Sequence, residues 1–331
     1  MAKIKLFIVF VFSFFLFLTK SNAQSTNLNS FSIKSNFRTT LNADFIDTVG
    51  KFNSNEFSLG FNLPVYNHYF KNRVGKTAFY GFSFQNNNTI IYNHIGFLAA
   101  NNDLYNISFG LRALYFTGNK NIWLTKISSN FFEDEFSISN PKPRFSGVFL
   151  FNRMVNRRFN YHLGLSYKYS FGYAAILPVA GLKYQFADKW KLIVFLPFHI
   201  STQYKVNDKL WFDAKFNASG AISYYTNKNN LFGQSKEEML FRKRANVFAI
   251  NAKYRLNSNL LLNASIGREG NRTIYFSDIK SEINKEPVNY FKSKIQSNLF
   301  INIGFAFKFG KKKNSIDFDN DTIDYIEELT E

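Results

Sequence analysis

No cysteine occurs among the 331 residues, so this fold is not closed by disulfides and the N-terminal segment is not that of a lipoprotein. Past the N-terminus no apolar run approaches the ~20 residues of a membrane-spanning helix. Acidic residues are scarce, 23 against 41 Lys and Arg, and the formal net charge is +18. There is no HExxH element, and the four histidines (His68, His94, His162 and His199) form no cluster with carboxylates. The sequence therefore gives no reason to expect a metal or a cofactor.

What is present at the N-terminus points to export. Lys3 and Lys5 precede an almost wholly apolar run from Leu6 to Leu18, and Ser21-Asn22-Ala23 places small residues at the −3 and −1 positions before Gln24. A basic start, an apolar core and a small-x-small exit form a secretory signal pattern, so residues 1–23 are expected to be cleaved. The mature chain is long enough for one large β-domain. It is rich in aromatics, with 42 Phe and 18 Tyr. A water-soluble fold would have to hide those rings in a core, whereas a lipid-facing wall would not.

The placement of the rings decides between these. From Phe159 to Phe171, the residues Phe159, Tyr161, Leu163, Leu165, Tyr167, Tyr169 and Phe171 alternate with Asn160, His162, Gly164, Ser166, Lys168 and Ser170. A strand sends alternate side chains to opposite faces, so one face is apolar and the other small or polar. The pattern recurs over Phe31–Leu41, Tyr105–Tyr115, Ile176–Phe186 and Leu260–Ile266. It is longest in Phe291–Phe309, where Phe291, Ile295, Leu299, Ile301, Ile303, Phe305, Phe307 and Phe309 oppose Lys292, Lys294, Gln296, Asn298, Asn302, Gly304 and Lys308. Such runs suit tilted strands crossing a bilayer, which need about 9–11 residues. Lipid offers the backbone no hydrogen-bond partner, so the sheet must close on itself.

The connections set the strand number. Short turns occur near 118–120, 156–158, 187–189, 207–209 and 257–259; longer polar loops are expected at 42–55, 87–103, 132–143, 227–243 and 271–289. Short turns at one end and long loops at the other match an outer-membrane barrel with periplasmic turns. The expected strands are 29–41, 56–65, 77–86, 104–116, 121–131, 143–154, 158–171, 175–187, 189–196, 198–206, 209–226, 244–255, 259–270 and 290–309. The fold class is thus an all-β, antiparallel up-and-down transmembrane barrel over 24–310 with about 14 strands, or 12 if Leu196-Pro197 is a kink rather than a reversal. Residues 311–331 form an acidic periplasmic tail. Trp123, Trp190 and Trp211, close to strand ends, suit an interfacial girdle.

Several of these residues resemble a known family. Ser21-Asn22-Ala23-Gln24 is similar to signal-peptide exits of the Bacteroidetes. Asp188-Lys189-Trp190-Lys191-Leu192, then Leu196-Pro197, then Tyr204 and Asn207-Asp208-Lys209-Leu210-Trp211, resemble a signature of an uncharacterised outer-membrane barrel family of those Gram-negative bacteria. Phe305-x-Phe307-x-Phe309 resembles the aromatic-ending strand recognised by the barrel-assembly machinery, although residues 310–331 follow it here. The resemblance implies a fold and a location, the outer membrane, but no activity.

Three candidate chemistries remain. His199 and Ser201 share a strand face about 6.6 Å apart; outer-membrane lipid hydrolases use such a pair as base and nucleophile, while the simpler reading is a polar pair facing the lumen. Asp317, Asp319, Asp321 and Glu328 fall at positions 1, 3, 5 and 12 of a calcium-loop template, but Thr322 stands where the loop needs Gly, so a solvated acidic tail is expected. Charge is the strongest clue. Setting aside the three lysines of the leader and the net −4 of 311–331 leaves +19 on residues 24–310. The alternation assigns Lys34, Arg38, Arg112, Lys168, Lys183, Lys215, Lys253, Lys292 and Lys294 to the lumen, with Lys191, Arg255 and Lys308, against Asp213 and Glu269. Inward rings of Lys and Arg favour anions. The expected function is a non-enzymatic passive or plugged pore with a basic lumen; the alternatives are a lipid hydrolase at His199/Ser201 and a structural or adhesion barrel with partner-binding loops. Expected partners are outer-membrane lipid and the phosphates of lipopolysaccharide, not nucleic acid.

The two faces make a first prediction. Arg at Leu165 or Ile301, if these sit at mid-bilayer, is expected to cost ~2–4 kcal/mol of folding stability, and Arg at Ser166 or Asn302 less. Resistance to SDS without boiling, with a gel shift on boiling, reads folding of each variant. Equal losses on both faces contradict the register.

Overall fold

The computed structural model describes residues 31–309, except 49, 72–78, 98–99, 118–119, 135–141, 169–173, 227–237 and 280–288. The leader 1–23 and the tail 311–331, with its calcium-loop template, lie outside the described residues. The described chain is all β. Its strands are β1 (Phe31–Asp44), β2 (Lys51–Lys71), β3 (Phe79–Phe97), β4 (Ala100–Thr117), β5 (Asn121–Glu133), β6 (Arg144–Asn156), β7 (Phe159–Lys168), β8 (Ala175–Ala187), β9 (Trp190–Leu196), β10 (His199–Lys205), β11 (Leu210–Thr226), β12 (Glu238–Arg255), β13 (Leu260–Ser277), β14 (Asn289–Ile295) and β15 (Asn298–Phe309).

From β1 to β14 each strand pairs antiparallel with its neighbour in sequence, and the ring closes where β1 meets β15, from Phe31↔Phe309 to Thr40↔Phe300. β14 and β15 are two halves of one interrupted strand: β13 pairs with β15 through Leu260–Glu269 and with β14 through Arg272–Ser277. The barrel therefore has fourteen strands around its circumference. The reversal at Leu196-Pro197 is real, since β9 and β10 pair antiparallel on either side of it.

Alternation sorts the side chains. Leu163 and Leu165 are half exposed on the outer face of β7, while His162 and Ser166 are buried inside. Phe37, Phe57, Phe109, Phe149, Phe216, Phe248, Ile301 and Ile303 continue the exposed apolar face around the ring. In water this would be one continuous apolar belt, far beyond what soluble monomers display; in lipid it is the matching surface. Near the short turns the belt is aromatic: Trp123 packs on Phe149 and Phe151, Trp190 on Phe186 and Tyr204, and Phe31 stacks on Phe309. Trp211 departs from the girdle expectation. It shares the inward face of Asp213 and lies under the Arg255 guanidinium, 5.3 Å from ring centroid.

Two expectations about connections need correction. Residues 87–97 and 100–103 are strand, not loop, and β2, β12 and β13 likewise run well into the expected loops. The Asn-rich stretch that reads as a loop is strand, and it places Asn87 and Thr89 on a polar internal cavity. Secondly, Ser166 is 1 % exposed and packed inside, so Arg there meets a filled interior; Asn302, half-buried, is the tolerant inward position.

The wall is uneven. β2 has 21 residues, whereas β9 and β10 have seven each. Seven residues extend about 23 Å, and at the usual tilt rise about 17 Å, less than the ~25 Å apolar band of such barrels. β10 pairs with β11 only as far as His199↔Asn217. Above that level β11 leaves the wall and reaches across to β5, where Tyr224 pairs with Glu133 and the Asp134 amide donates to the Tyr224 carbonyl at 3.1 Å. Arg144, on the inner face of β6, lies 3.9 Å over the Tyr224 ring. The C-terminal end of β11, still paired with β12, thus lies beside β5 and against the inner-face Arg144.

Three apolar clusters occupy the interior. Leu114, Phe116, Ile122, Leu124, Val148, Leu150, Val179, Ile193, Phe195 and Phe198 fill the lower half beside β4–β9. Phe45, Phe52, Ile95, Leu104, Tyr225, Met239, Phe241, Ile274, Phe276 and Ile295 meet at the end opposite the short turns. Ala245, Val247, Ala249 and Phe300 form a third group. Room for inward rings comes from glycine: a Cβ on Gly181 would collide with the His162 ring, and one on Gly267 with Phe300. Gly181→Val is therefore expected to weaken the fold by roughly 1–3 kcal/mol, the usual range for overpacking. Urea unfolding in detergent micelles measures it, and an unchanged midpoint contradicts this packing.

Candidate functional site

Between the apolar clusters lies a polar cavity of about 420 Å³. Inward positions of β1–β5 supply most of its wall, with Lys34, Arg112 and Lys126 among asparagines and serines, and Lys168 joins from β7. Glu56 is the one carboxylate in this lining, facing four cations. Alternation explains the grouping: residues spaced by two on neighbouring strands in register come to one face. Lys34 pairs across with Gly60, and Arg112 lies between Gln85 and Lys126. Arg112 donates to the Gln85 amide oxygen and is 2 % exposed.

Other expected lumen cations are neutralised or buried. Arg38 donates to Glu269, which also meets Lys243 Nζ at 3.0 Å and Arg272 Nε at 3.1 Å. Three cations thus surround one buried carboxylate, and Phe300 and Phe52 stack on Arg38 and Arg272 at 3.9 and 5.0 Å. Lys253 pairs with Asp213 at 3.0 Å. Lys183 is buried inside, and Lys215 is half-buried on the inward face of β11, in register with Ser201.

Lys292 and Lys294 are corrected. Both are exposed, on the face opposite Ser293 and Ile295, which point inward. The expected strand ran unbroken from 290 to 309. Across the interruption at Gln296-Ser297 the two faces of the chain exchange while its pairing with β13 stays in register, from Glu269↔Asn298 to Arg272↔Ile295; β13 inverts with it at Gly270-Asn271, where Asn271 has φ 48°. Phe291 and Ile295, expected outside, consequently join the apolar cluster opposite the short turns.

The expected site omitted Lys126, Glu56, Lys243 and Arg272. Lys126 sits in an alternating run with Ser128 and Asn130, so that signal was available. Lys243 and Arg272 fall in segments expected to be loops. His199 and Ser201 do share the inner face of β10, at 8 % and 1 % exposure. Ser201 Oγ has no hydrogen-bond partner, so the base-to-nucleophile contact is not made. Both side chains point away from lipid. Among the described residues no group of three or more His, Asp or Glu is placed to hold a metal ion.

The model of a domain of unknown function, DUF6268, matches residues 19–308. The chain belongs to that family. No curated protein matches it. Among solved structures, an outer membrane channel from Pseudomonas putida F1 is similar at 8 % identity and TM-score 0.44, over 87 % of this chain and 98 % of that one. OccK7 (OpdD) from Pseudomonas aeruginosa is similar at 9 % identity and TM-score 0.34, over 85 % and 98 %. The translocator domain of autotransporter NalP from Neisseria meningitidis is similar at 9 % identity and TM-score 0.36, over 87 % and 90 %. The likeness assigns no cargo to this chain.

The Glu269 cluster yields a prediction. Glu269→Gln leaves Arg38, Lys243 and Arg272 facing one another without their anion, and breaking a buried pair in this way costs about 3–5 kcal/mol. Asp188→Ala, which removes an exposed 2.9 Å pair with Arg158 in a turn, is expected to cost under about 1 kcal/mol. Urea unfolding of both variants in micelles checks the contrast, and equal effects contradict it.

Proposed function

We propose that this chain is a non-catalytic outer-membrane barrel of a Bacteroidetes-type Gram-negative bacterium that admits small anionic solutes to a basic lumen. On this reading the leader 1–23 is cleaved in export. The strand ending at Phe309 engages the barrel-assembly machinery, the apolar belt contacts lipid, and exposed basic residues of the extracellular end, Lys292 and Lys294 among them, contact lipopolysaccharide phosphates. The observation that carries the proposal is the internal cavity with four cations against Glu56. Low-dielectric walls around a narrow space strengthen the field of fixed charges relative to a free surface. The apolar cluster around Phe241 and Phe276 at the extracellular end makes the pore a closed or gated one in this conformation.

Planar-bilayer recording tests this. The wild type is expected to conduct in small, rare steps. Phe241→Ala with Phe276→Ala should enlarge them by thinning the apolar cluster. Across a KCl gradient the reversal potential should report anion preference, strongest at low salt, where screening extends ~30 Å at 0.01 M. Lys34→Glu with Lys126→Glu should reduce or reverse it. A cation-selective or charge-blind channel overturns the proposal.

A further inference from the structure

The unevenness of the wall leaves a second way into the interior. β9 pairs with β8 only up to Leu196↔Ala180, so Ala175–Val179 of β8 have β7 on one side and no strand on the other. β10 stops opposite Asn217, with the Ala218 amide donating to the Phe198 carbonyl at 3.0 Å; Ser219–Ser223 of β11 then have β12 on one side and no strand on the other. The Pro197-Phe198 turn forms the floor between these two edges. Among the described residues the barrel is therefore notched above β9 and β10. The apolar outer surface continues at this height, with exposed Leu165 paired to Pro178, and Ile176 beside it on β8.

Broken pairing at membrane depth is tolerated where the backbone lines a cavity that water can enter. The β11 edge of the notch meets that condition, since its Gly220, Ala221 and Ile222 also line the polar cavity. Its chemistry is two-sided. Phe198 and Val179 are buried below, and Leu177 packs against them. Above them Lys168 Nζ lies 5.1 Å over the Phe198 ring and faces the same cavity. On the opposite edge Ser219, Gly220 and Ala221 are small. An apolar floor open to the lipid belt, with a cation over it and small side chains across it, fits a molecule with one alkyl chain and an anionic head.

We propose that the notch between β8 and β11 is a lateral portal through which a single-chain anionic amphiphile passes between the outer leaflet and the lumen, its head drawn to Lys168 and its chain lying along Leu177, Val179 and Phe198. The portal rests on the membrane placement proposed above but not on conduction. A barrel silent in bilayers can still bind such a ligand, and a conducting one can lack it.

The full-length protein in lipid nanodiscs is labelled with a photoreactive diazirine analogue of palmitate, and the modified peptides are mapped. Label is expected on residues 175–179, 198 and 219–223, removed by excess palmitate. Lys168→Glu should weaken palmitate competition about tenfold, the scale of a hydrogen bond to a charged group, while Lys168→Arg retains it. Hexadecanol, which has the chain but no charge, should compete equally with either variant. Ala221→Trp fills the portal from the β11 edge and should exclude the label, with the gel shift on boiling confirming a folded barrel. Label spread evenly around the outer belt, or confined to the periplasmic turns, overturns the portal. So does palmitate competition unchanged by Lys168→Glu. The wild-type map decides even if a variant does not fold.

Discussion

In a hydrocarbon medium an unpaired backbone amide or carbonyl has no solvent to turn to, and the rest of this molecule depends on that constraint. It forces the sheet into a ring, joined here by ten consecutive β1–β15 pairs. The ring then makes the two-residue period of each strand a division between lipid and lumen. Phe and Leu outside, and Ser, Asn, Gly and Lys inside, are the same physical requirement expressed on two faces. Where the ring is short, at β9 and β10, the constraint is met differently. β11, still paired with β12, swings inward to borrow β5 as a partner, and its own open edge is turned toward a polar cavity.

That inward swing explains why the lumen is neither a plain aqueous channel nor a solid core. A polar inner face alone would leave water from end to end. Instead, Phe195, Phe198 and their neighbours fill the space below, and Phe241, Phe276 and Phe52 fill the end opposite the short turns. The cations left between them divide into two kinds. Those around Glu269 and Asp213 are matched to carboxylates and act as internal cross-braces, since a buried charge is stable only when paired. Lys34, Lys126 and Lys168 instead line the cavity, whose wall carries the carboxylate of Glu56. The charge excess seen in the composition is thus divided between internal cross-braces and the cavity wall.

Much of this was legible because a strand's period is a local property. The faces of β7, the turns at 157–158 and 188–189, and the reversal at Leu196-Pro197 all follow from residues a few positions apart. The errors arose where a local signal was ambiguous. Asn86-Asn87-Asn88 looks like a loop because asparagine favours turns, yet it lies within β3, with Asn87 on the inner face between Gln85 and Thr89 and Asn86 and Asn88 on the other. The interruption at Gln296-Ser297 has no marker of its own, and the face inversion there, matched by β13 at Gly270-Asn271, moved Lys292 and Lys294 to the outer face and Phe291 and Ile295 to the inner. Lys243 and Arg272 were missed because the segments holding them read as loops.

The amino-acid sequence by itself determined the closed β-architecture, the apolar exterior and the sign of the interior charge, because each follows from alternation and composition along single strands. Only the tertiary structure decided which cations find a carboxylate and where aromatic side chains block the lumen. It also decided that β11 leaves the wall to meet β5. These are contacts between strands far apart in the chain. They depend on the register, height and curvature of the whole ring, which no local run of residues encodes.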